Sequence, residues 1–271
     1  MADQQGKIKI CLAGVTGWVG KPLAEQICKS DKFLLTEAVS RKNAGNSVEK
    51  VLGIKNCAVT IKSSVKEACK SHPDVLIDYT SASAVYHNVL DALQESINVV
   101  VGSSGLKDEQ YIELDRMARD NDVGVIAAGN FSLASALMLH FSVLASRYMR
   151  DLEIIDYASK EKQDAPSGTA LELAHRIGQE MELQGINAKS TAAQPNRALG
   201  DIINGINVHS VRLPGIVIGS EVIFGDQSQI LSLKYEGGES AMPYISGTLL
   251  AAERVVGTRG LVRGLDRLLA L

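Results

Sequence analysis

Three glycines, Gly14, Gly17 and Gly20, close a short apolar run and open a helical pattern in the stretch Gly14-Val15-Thr16-Gly17-Trp18-Val19-Gly20. Bare backbone at this spacing can turn tightly and aim the N–H groups of a helix start at an anion, with the helix dipole adding to the attraction. The spacing is GxxGxxG rather than the usual dinucleotide fingerprint GxGxxG, so the glycines alone also suit a plain strand-to-helix corner. A triphosphate-binding loop is disfavoured, because Lys21 is followed by Pro22 where a Ser or Thr would hold magnesium. A second chemically loaded run is Lys162-Gln163-Asp164-Ala165-Pro166-Ser167-Gly168-Thr169. Ser167, Gly168 and Thr169 stand at a helix start as a ready carboxylate site with Lys162 as a nearby cation, although the same residues also make an ordinary N-cap.

These residues need a frame. Apolar runs at Ile8–Ala13, 34–39, Val75–Asp78, Asn98–Val101 and Gly124–Ala127 alternate with helical patterns at 22–30, Val85–Gln94 and Asp108–Asp120. Strand and helix in alternation predict βαβ units and a parallel sheet covered on both faces, a doubly wound nucleotide-binding fold. In that frame the glycine turn sits at the first βα junction, and the end of the second strand reads the cofactor's adenosine ribose. That end is Ser40-Arg41-Lys42, a hydroxyl and two cations where NAD would require an acid. Such residues suit the 2′-phosphate of NADP, so NADPH is the expected cofactor with NADH as the lesser possibility; a solvated basic loop is the plainer reading.

From about residue 131 the pattern changes. A helix is expected over 133–148, then strands at 152–157, Ile206–Arg212, 219–224 and 229–235, with a helical pattern through Gln184 and a loop over 185–205. Strands in succession predict a mixed sheet in a second α/β domain. The expected division is a dinucleotide-binding domain over 1–130, completed by a C-terminal helix within 241–271, and a substrate-binding and oligomerisation domain over 131–240. With 271 residues, 45% hydrophobic content and a formal net charge of −3, the chain has ample core and no charge bias toward nucleic acid or an anionic membrane. The four cysteines show no CxxC pair and no clustered histidines, so they are expected as reduced thiols with no metal site. The polar opening of the chain does not resemble a signal peptide and no apolar stretch is long enough to span a bilayer, so the cytoplasm is the expected location.

Further motifs follow in order: Val101-Gly102-Ser103-Ser104-Gly105, Ala128-Gly129-Asn130-Phe131-Ser132, His209-Ser210-Val211-Arg212-Leu213-Pro214-Gly215, Glu221-Val222-Ile223-Phe224-Gly225 and the closing Arg263-Gly264-Leu265-Asp266. Together with the glycine turn and the 164–169 run, they make the whole chain resemble the dihydrodipicolinate reductase family. The resemblance implies an N-terminal Rossmann domain, a mixed-sheet domain that builds a homotetramer, and reduction of 4-hydroxy-tetrahydrodipicolinate, a small cyclic imine dicarboxylate of the lysine and diaminopimelate pathway. It also implies that Gly14, Val15, Thr16, Gly17, Trp18, Val19 and Gly20 bind the pyrophosphate, and Ser40, Arg41 and Lys42 the adenosine ribose end. Gly102, Ser103, Ser104, Ala128, Gly129, Asn130 and Phe131 would border the nicotinamide. Ser159, Ser167, Gly168 and Thr169 would bind substrate, across an interdomain cleft from the cofactor.

The chain departs from the family at two places. Where the family carries a His-His pair, with the first histidine as proton donor, this chain has Ala158 and Ser159, followed by Lys160, Glu161 and Lys162. Alanine transfers no proton, and Tyr157 and Ser159 should face away from Ala158 on a strand. Lys162 is therefore the expected acid. The segment from Lys234 to Ala241 lacks the histidine and arginine usual there, and none of His72, His87, His140, His175 or His209 is an obvious replacement. Two alternatives stay open: a diverged member reducing another imine or conjugated C=N or C=C bond, and a non-catalytic NADPH-binding scaffold or sensor.

Overall fold

The computed structural model describes residues 6–186 and 197–269, so residues 187–196 of the loop expected over 185–205 lie outside the described residues. The described residues divide into two compact units, one reaching Ser132 and resuming at Ala241, the other Leu133–Ser240.

The first unit is built on runs of aliphatic residues too apolar to face water on either side. Strands β1 (Ile8–Ala13), β2 (Phe33–Val39), β3 (Ile61–Lys62), β4 (Val75–Asp78), β5 (Asn98–Val101) and β6 (Gly124–Ala127) join β12 (Gly260–Arg263) in one sheet of order β12-β6-β5-β4-β1-β2-β3. Every pairing is parallel. All residues of β4 and β6 are buried, as a sheet covered on both faces requires. Helix α1 (Gly20–Lys29) accepts Pro22 because it falls in the first turn, where a missing N–H costs nothing, and it buries Leu23, Ala24 and Ile27 along one stripe. Helices α4 (Val85–Gln94) and α5 (Asp108–Asp120) bring Val89, Leu93 and Leu114 against Leu76, Val99 and Val125. Each such side chain contributes about 1.5–3 kcal/mol relative to exposure.

Several features of the first unit differ from the sequence expectation, the two-residue strand β3 among them. The C-terminal segment supplies a strand as well as helix α8 (Met242–Val255): β12 pairs with β6, and its short Leu261-Val262 core between Gly260 and Gly264 gives little pattern to read. Helices α2 (Val48–Leu52) and α3 (Val65–Cys69) also escaped it, being five residues each and held by their caps, Ser47 accepting from Lys50 N and Ser64 from Glu67 N.

In the second unit, β7 (Asp151–Ala158), β8 (Asp201–Ile203), β9 (Ile206–Arg212), β10 (Ile218–Asp226) and β11 (Gln229–Gly237) form a sheet of order β11-β10-β7-β9-β8. It is mixed, with β7 and β9 parallel and the other pairs antiparallel. Strand β8 occupies part of what read as loop. Helices α6 (Leu133–Ser146) and α7 (Gly168–Leu183) lay Met138, Leu139, Leu173 and Ile177 on Ile154, Val208, Val222 and Phe224.

Candidate functional site

In the first unit, the expected cofactor residues fall at the carboxyl ends of β1, β2, β5 and β6. The chain leaves β1 for β2 on one side and returns to β4 on the other, and the crevice at such a switch point is where open parallel sheets bind ligands. The glycines there are required by geometry. Gly14 has φ +82°, and a Cβ on it would run into the carbonyl of Tyr79, while one on Gly20 would run into the carbonyl of Gly14. Gly17 N donates to Gly14 O at 2.8 Å and closes the turn. The N–H groups of Thr16, Trp18, Val19 and Gly20 have no hydrogen-bond partner among the described residues. Four unclaimed donors at the start of a ten-residue helix fit a pyrophosphate. Val15 is fully buried, so it serves the turn through its backbone, whereas the Trp18 ring is 59% exposed and meets Tyr244 edge-on at 5.6 Å.

Thr16 Oγ1 lies 3.1 Å from Ser40 Oγ, joining the glycine turn to the end of β2, and Asn43 Nδ2 donates to the same Ser40 oxygen. Arg41 and Lys42 follow on an exposed single turn and make no ion pair among the described residues. The opposite wall is organised by Asp78, a fully buried carboxylate that the sequence reading did not single out. It accepts from Ser103 Oγ at 2.6 Å, Asn88 Nδ2 at 2.7 Å, Thr80 Oγ1 at 2.8 Å and Thr80 N at 3.0 Å. Ser103 is thus held by the protein itself. A Cβ on Gly102 would strike the Tyr79 ring, whose hydroxyl meets Thr248 Oγ1 at 2.6 Å and whose pKa burial raises. Ser104 and Gly129 are exposed, and Ala128 is half-buried. Asn130 Oδ1 accepts from Ser132 N, and the Phe131 ring packs inward against Tyr79 at 6.2 Å. The last two residues therefore offer a ligand mainly backbone.

In the second unit, Asp156 occupies the equivalent organising position. It is fully buried on β7 and accepts from Ser167 Oγ at 2.6 Å, Ser167 N at 2.8 Å and Arg212 Nη2 at 2.7 Å. Arg212 also donates to Asp164 O at 2.7 Å, so one guanidinium grips both the strand and the loop after it. Ser167 N-caps α7 by accepting from Ala170 N. With its hydroxyl and amide already engaged, Ser167 shapes the cradle, and the N–H groups of Gly168 and Thr169 are left without partners among the described residues. A Cβ on Gly168 would meet open space, so the fold itself does not demand glycine there.

Lys162 Nζ pairs with Asp164 Oδ1 at 2.7 Å, and that hydrogen bond holds the Asp164 carboxyl below the usual carboxylate range. Ser159 O accepts from Lys162 N, which folds the loop back on itself. Ala158 is fully buried on the helix-covered face, and Tyr157 points the other way to bond Glu221 Oε2 at 2.9 Å, as strand alternation requires. His209 is likewise occupied, with Nε2 3.0 Å from Glu153 Oε2. Asp156 and Arg212 were missed as a pair; the signal was an acid between Ile154 and Ala158 on one strand and a cation in phase with Ile206 and Val208 on the next. Among the described residues no group of His, Cys, Asp or Glu could hold a metal ion, and no helix is long and apolar enough to cross a membrane.

A doubly wound sheet with a glycine corner of unclaimed N–H donors at its switch point, followed in the chain by a mixed-sheet unit with unclaimed N–H donors at the start of α7, is the architecture of a dinucleotide-dependent oxidoreductase. Residues 8–131 match the family model for the dihydrodipicolinate reductase N-terminus, and residues 134–269 that for its C-terminus. The chain is 33% identical to a 4-hydroxy-tetrahydrodipicolinate reductase of Carboxydothermus hydrogenoformans over 96% of this chain and 99% of that one. It is 34% identical to another of that name from Thermosynechococcus vestitus, covering 97% of both. A dipicolinate-bound dihydrodipicolinate reductase from Paenisporosarcina sp. TG-14 superposes with a TM-score of 0.82 at 28% identity, over 97% of this chain and 100% of that one. The chain belongs to the dihydrodipicolinate reductase family, whose members are NAD(P)H-dependent oxidoreductases.

Proposed function

We propose that this protein catalyses the NADPH-dependent reduction of 4-hydroxy-tetrahydrodipicolinate to tetrahydrodipicolinate in lysine and diaminopimelate biosynthesis, in the cytoplasm and as a homotetramer. The observation that carries this reading is the family match across both units, supported by unclaimed backbone donors at the starts of both α1 and α7. The nicotinamide cofactor supplies hydride when bound. Gly14, Val15, Thr16, Gly17, Trp18, Val19 and Gly20 hold its pyrophosphate, and Ser40, Arg41 and Lys42 its 2′-phosphate. Gly102, Ser103, Ser104, Ala128, Gly129, Asn130 and Phe131 border the nicotinamide, the last two through backbone.

Gly168 and Thr169 take a substrate carboxylate on their N–H groups, Ser167 fixes the cap geometry, and Ser159 adds a hydroxyl. Reducing a conjugated imine also requires a proton at the far end of the unsaturated system, and a positioned acid contributes about 10²–10⁴-fold. Lys162, tethered by Asp164, is that acid. The homotetramer would form through the sheet face bearing Tyr157 and Glu221, which lies opposite α6 and α7.

NADPH oxidation in the presence of freshly generated dihydrodipicolinate synthase product tests the reading. Turnover within about 100-fold of ordinary family levels is expected, the deficit matching loss of one general acid. Tight NADPH binding without turnover would sink it. Ala158 in the position of the family's proton donor favours, as a second reading, a relative that reduces a different imine or conjugated bond.

A further inference from the structure

The cysteines of the first unit are of two kinds. Cys11 and Cys69 are sealed in the core, where burial pushes both thiols up, Cys69 to about 12. Cys28 and Cys57 instead touch, with their Sγ atoms 3.3 Å apart although 29 positions separate them in the chain. Cys28 is exposed in the last turn of α1, and Cys57, only 5% exposed, lies on the connection between α2 and β3. Both line an open cavity of about 340 Å³ that Lys7, Asn56 and Val59 also border. Such a cavity admits a small solute to the sulfur pair from solvent. The Cys28 thiol donates to Cys57, and that bond, reinforced by the Val59 backbone, draws the Cys57 thiol down to about 7 while Cys28 is pushed up. One thiolate and one thiol in contact are the two partners that disulfide formation needs.

We propose that Cys28 and Cys57 form an oxidisable dithiol, a modification site that a hydroperoxide converts to an intramolecular disulfide. The Cys57 thiolate attacks one peroxide oxygen, the O–O bond breaks, and Cys57 becomes a sulfenic acid as hydroxide leaves and takes a proton from solvent. Cys28 then attacks the Cys57 sulfur, loses its proton, and expels the sulfenic oxygen as water. Two thiols are oxidised to one disulfide and one hydrogen peroxide is reduced to two waters. The burial of Cys57 restricts the first step to a small oxidant.

The bond would tie two segments that serve the anion site. Helix α1 begins at Gly20 of the glycine turn, and the crossover from β2 to β3, which carries Cys57 near its end, has Arg41 and Lys42 at its start, ahead of α2. The Cys57 segment is bonded back to the start of α2, since Glu49 N donates to Cys57 O and Val48 N to Val59 O.

Titrating the full-length protein with hydrogen peroxide, up to doses that fully oxidise free cysteine, then alkylating and mapping thiols by mass spectrometry, tests the proposal. A single linked pair, Cys28 to Cys57, is expected, two hydrogens lighter than the reduced form and reversed by dithiothreitol, with Cys11 and Cys69 still reduced. The oxidised protein should melt roughly 5–10 °C higher, because the link restricts the unfolded chain. In Cys28→Ser, once its melting curve shows it folded, the same treatment should leave a Cys57 sulfenic acid that dimedone captures. Recovery of Cys28 and Cys57 as free or separately oxidised residues, with no linked pair, overturns the proposal.

Discussion

Two fully buried aspartates organise the two halves of this molecule by different means. Asp78 in the first unit is satisfied by neutral donors alone, from Thr80, Asn88 and Ser103. Asp156 in the second shares Ser167 with a full cation, Arg212, at 2.7 Å. The contrast extends to the sites they support. The glycine corner of the first unit presents mostly backbone N–H groups on a frame of dispersed dipoles, where no single donor is decisive. The loop and helix start of the second unit are held by a few charged side chains, Arg212, Lys162 and Asp164. A backbone site resists sequence change because any residue supplies the same N–H, provided the glycines stay. A side-chain site changes its chemistry with one substitution, and Ala158 lies in that half.

The largest expected effect sharpens this division directly. Lys162→Ala should lower turnover by about 10²–10⁴-fold, the contribution of a positioned acid, while NADPH affinity by fluorescence titration stays within about twofold. A variant that keeps most of its turnover would remove Lys162 from the proton step. Next comes Arg212→Met, which strands the Asp156 carboxylate in a dry environment and should cost about 3–5 kcal/mol in urea unfolding. Ser103→Ala removes one of four donors from Asp78 and should cost only about 1–2 kcal/mol. Equal losses in the two variants would erase the distinction drawn between the units. Smaller again, Arg41→Ala should weaken NADPH binding by roughly tenfold, since an exposed charge-assisted contact falls at or below the low end of about 1.5–3 kcal/mol, and leave NADH binding unchanged. Parallel losses for both cofactors would assign Arg41 to something other than the 2′-phosphate.

The same contrast explains what was legible in the sequence. The glycine turn, the strands of the parallel sheet and the helix start at Ser167 are written in local pattern: bare residues before a helix, aliphatic runs, a hydroxyl before two small residues. Their placement at Gly14, Gly20 and Gly168 needs no knowledge of distant contacts. Asp78 and Arg212 were not legible in this way, because Asp78 acquires its role only when β5 brings Ser103 beside β4, and Arg212 only when β9 pairs with β7. The edge strand β12 was missed for a related reason. Its pairing with β6 joins segments more than 130 residues apart, and two aliphatic residues between glycines carry no period to detect.

The smallest effect concerns the tether that holds Lys162. The folded-state pKa of Asp164 is depressed chiefly by its hydrogen bond with Lys162. A depressed carboxylate pKa contributes stability that is present above the unfolded value, near 3.9, and is lost as pH falls through the folded one. The side chain is 54% exposed, so solvent screening limits the pair to under about 1 kcal/mol. Asp164→Asn should therefore lower stability slightly at neutral pH and by progressively less below about pH 4, with the neutral difference shrinking at high salt. Urea unfolding of both proteins at the two pH values reads this out. A difference that persists unchanged in acid would mean that Asp164 stabilises the loop through its backbone, where Arg212 grips its carbonyl, and that Lys162 is positioned without the ion pair.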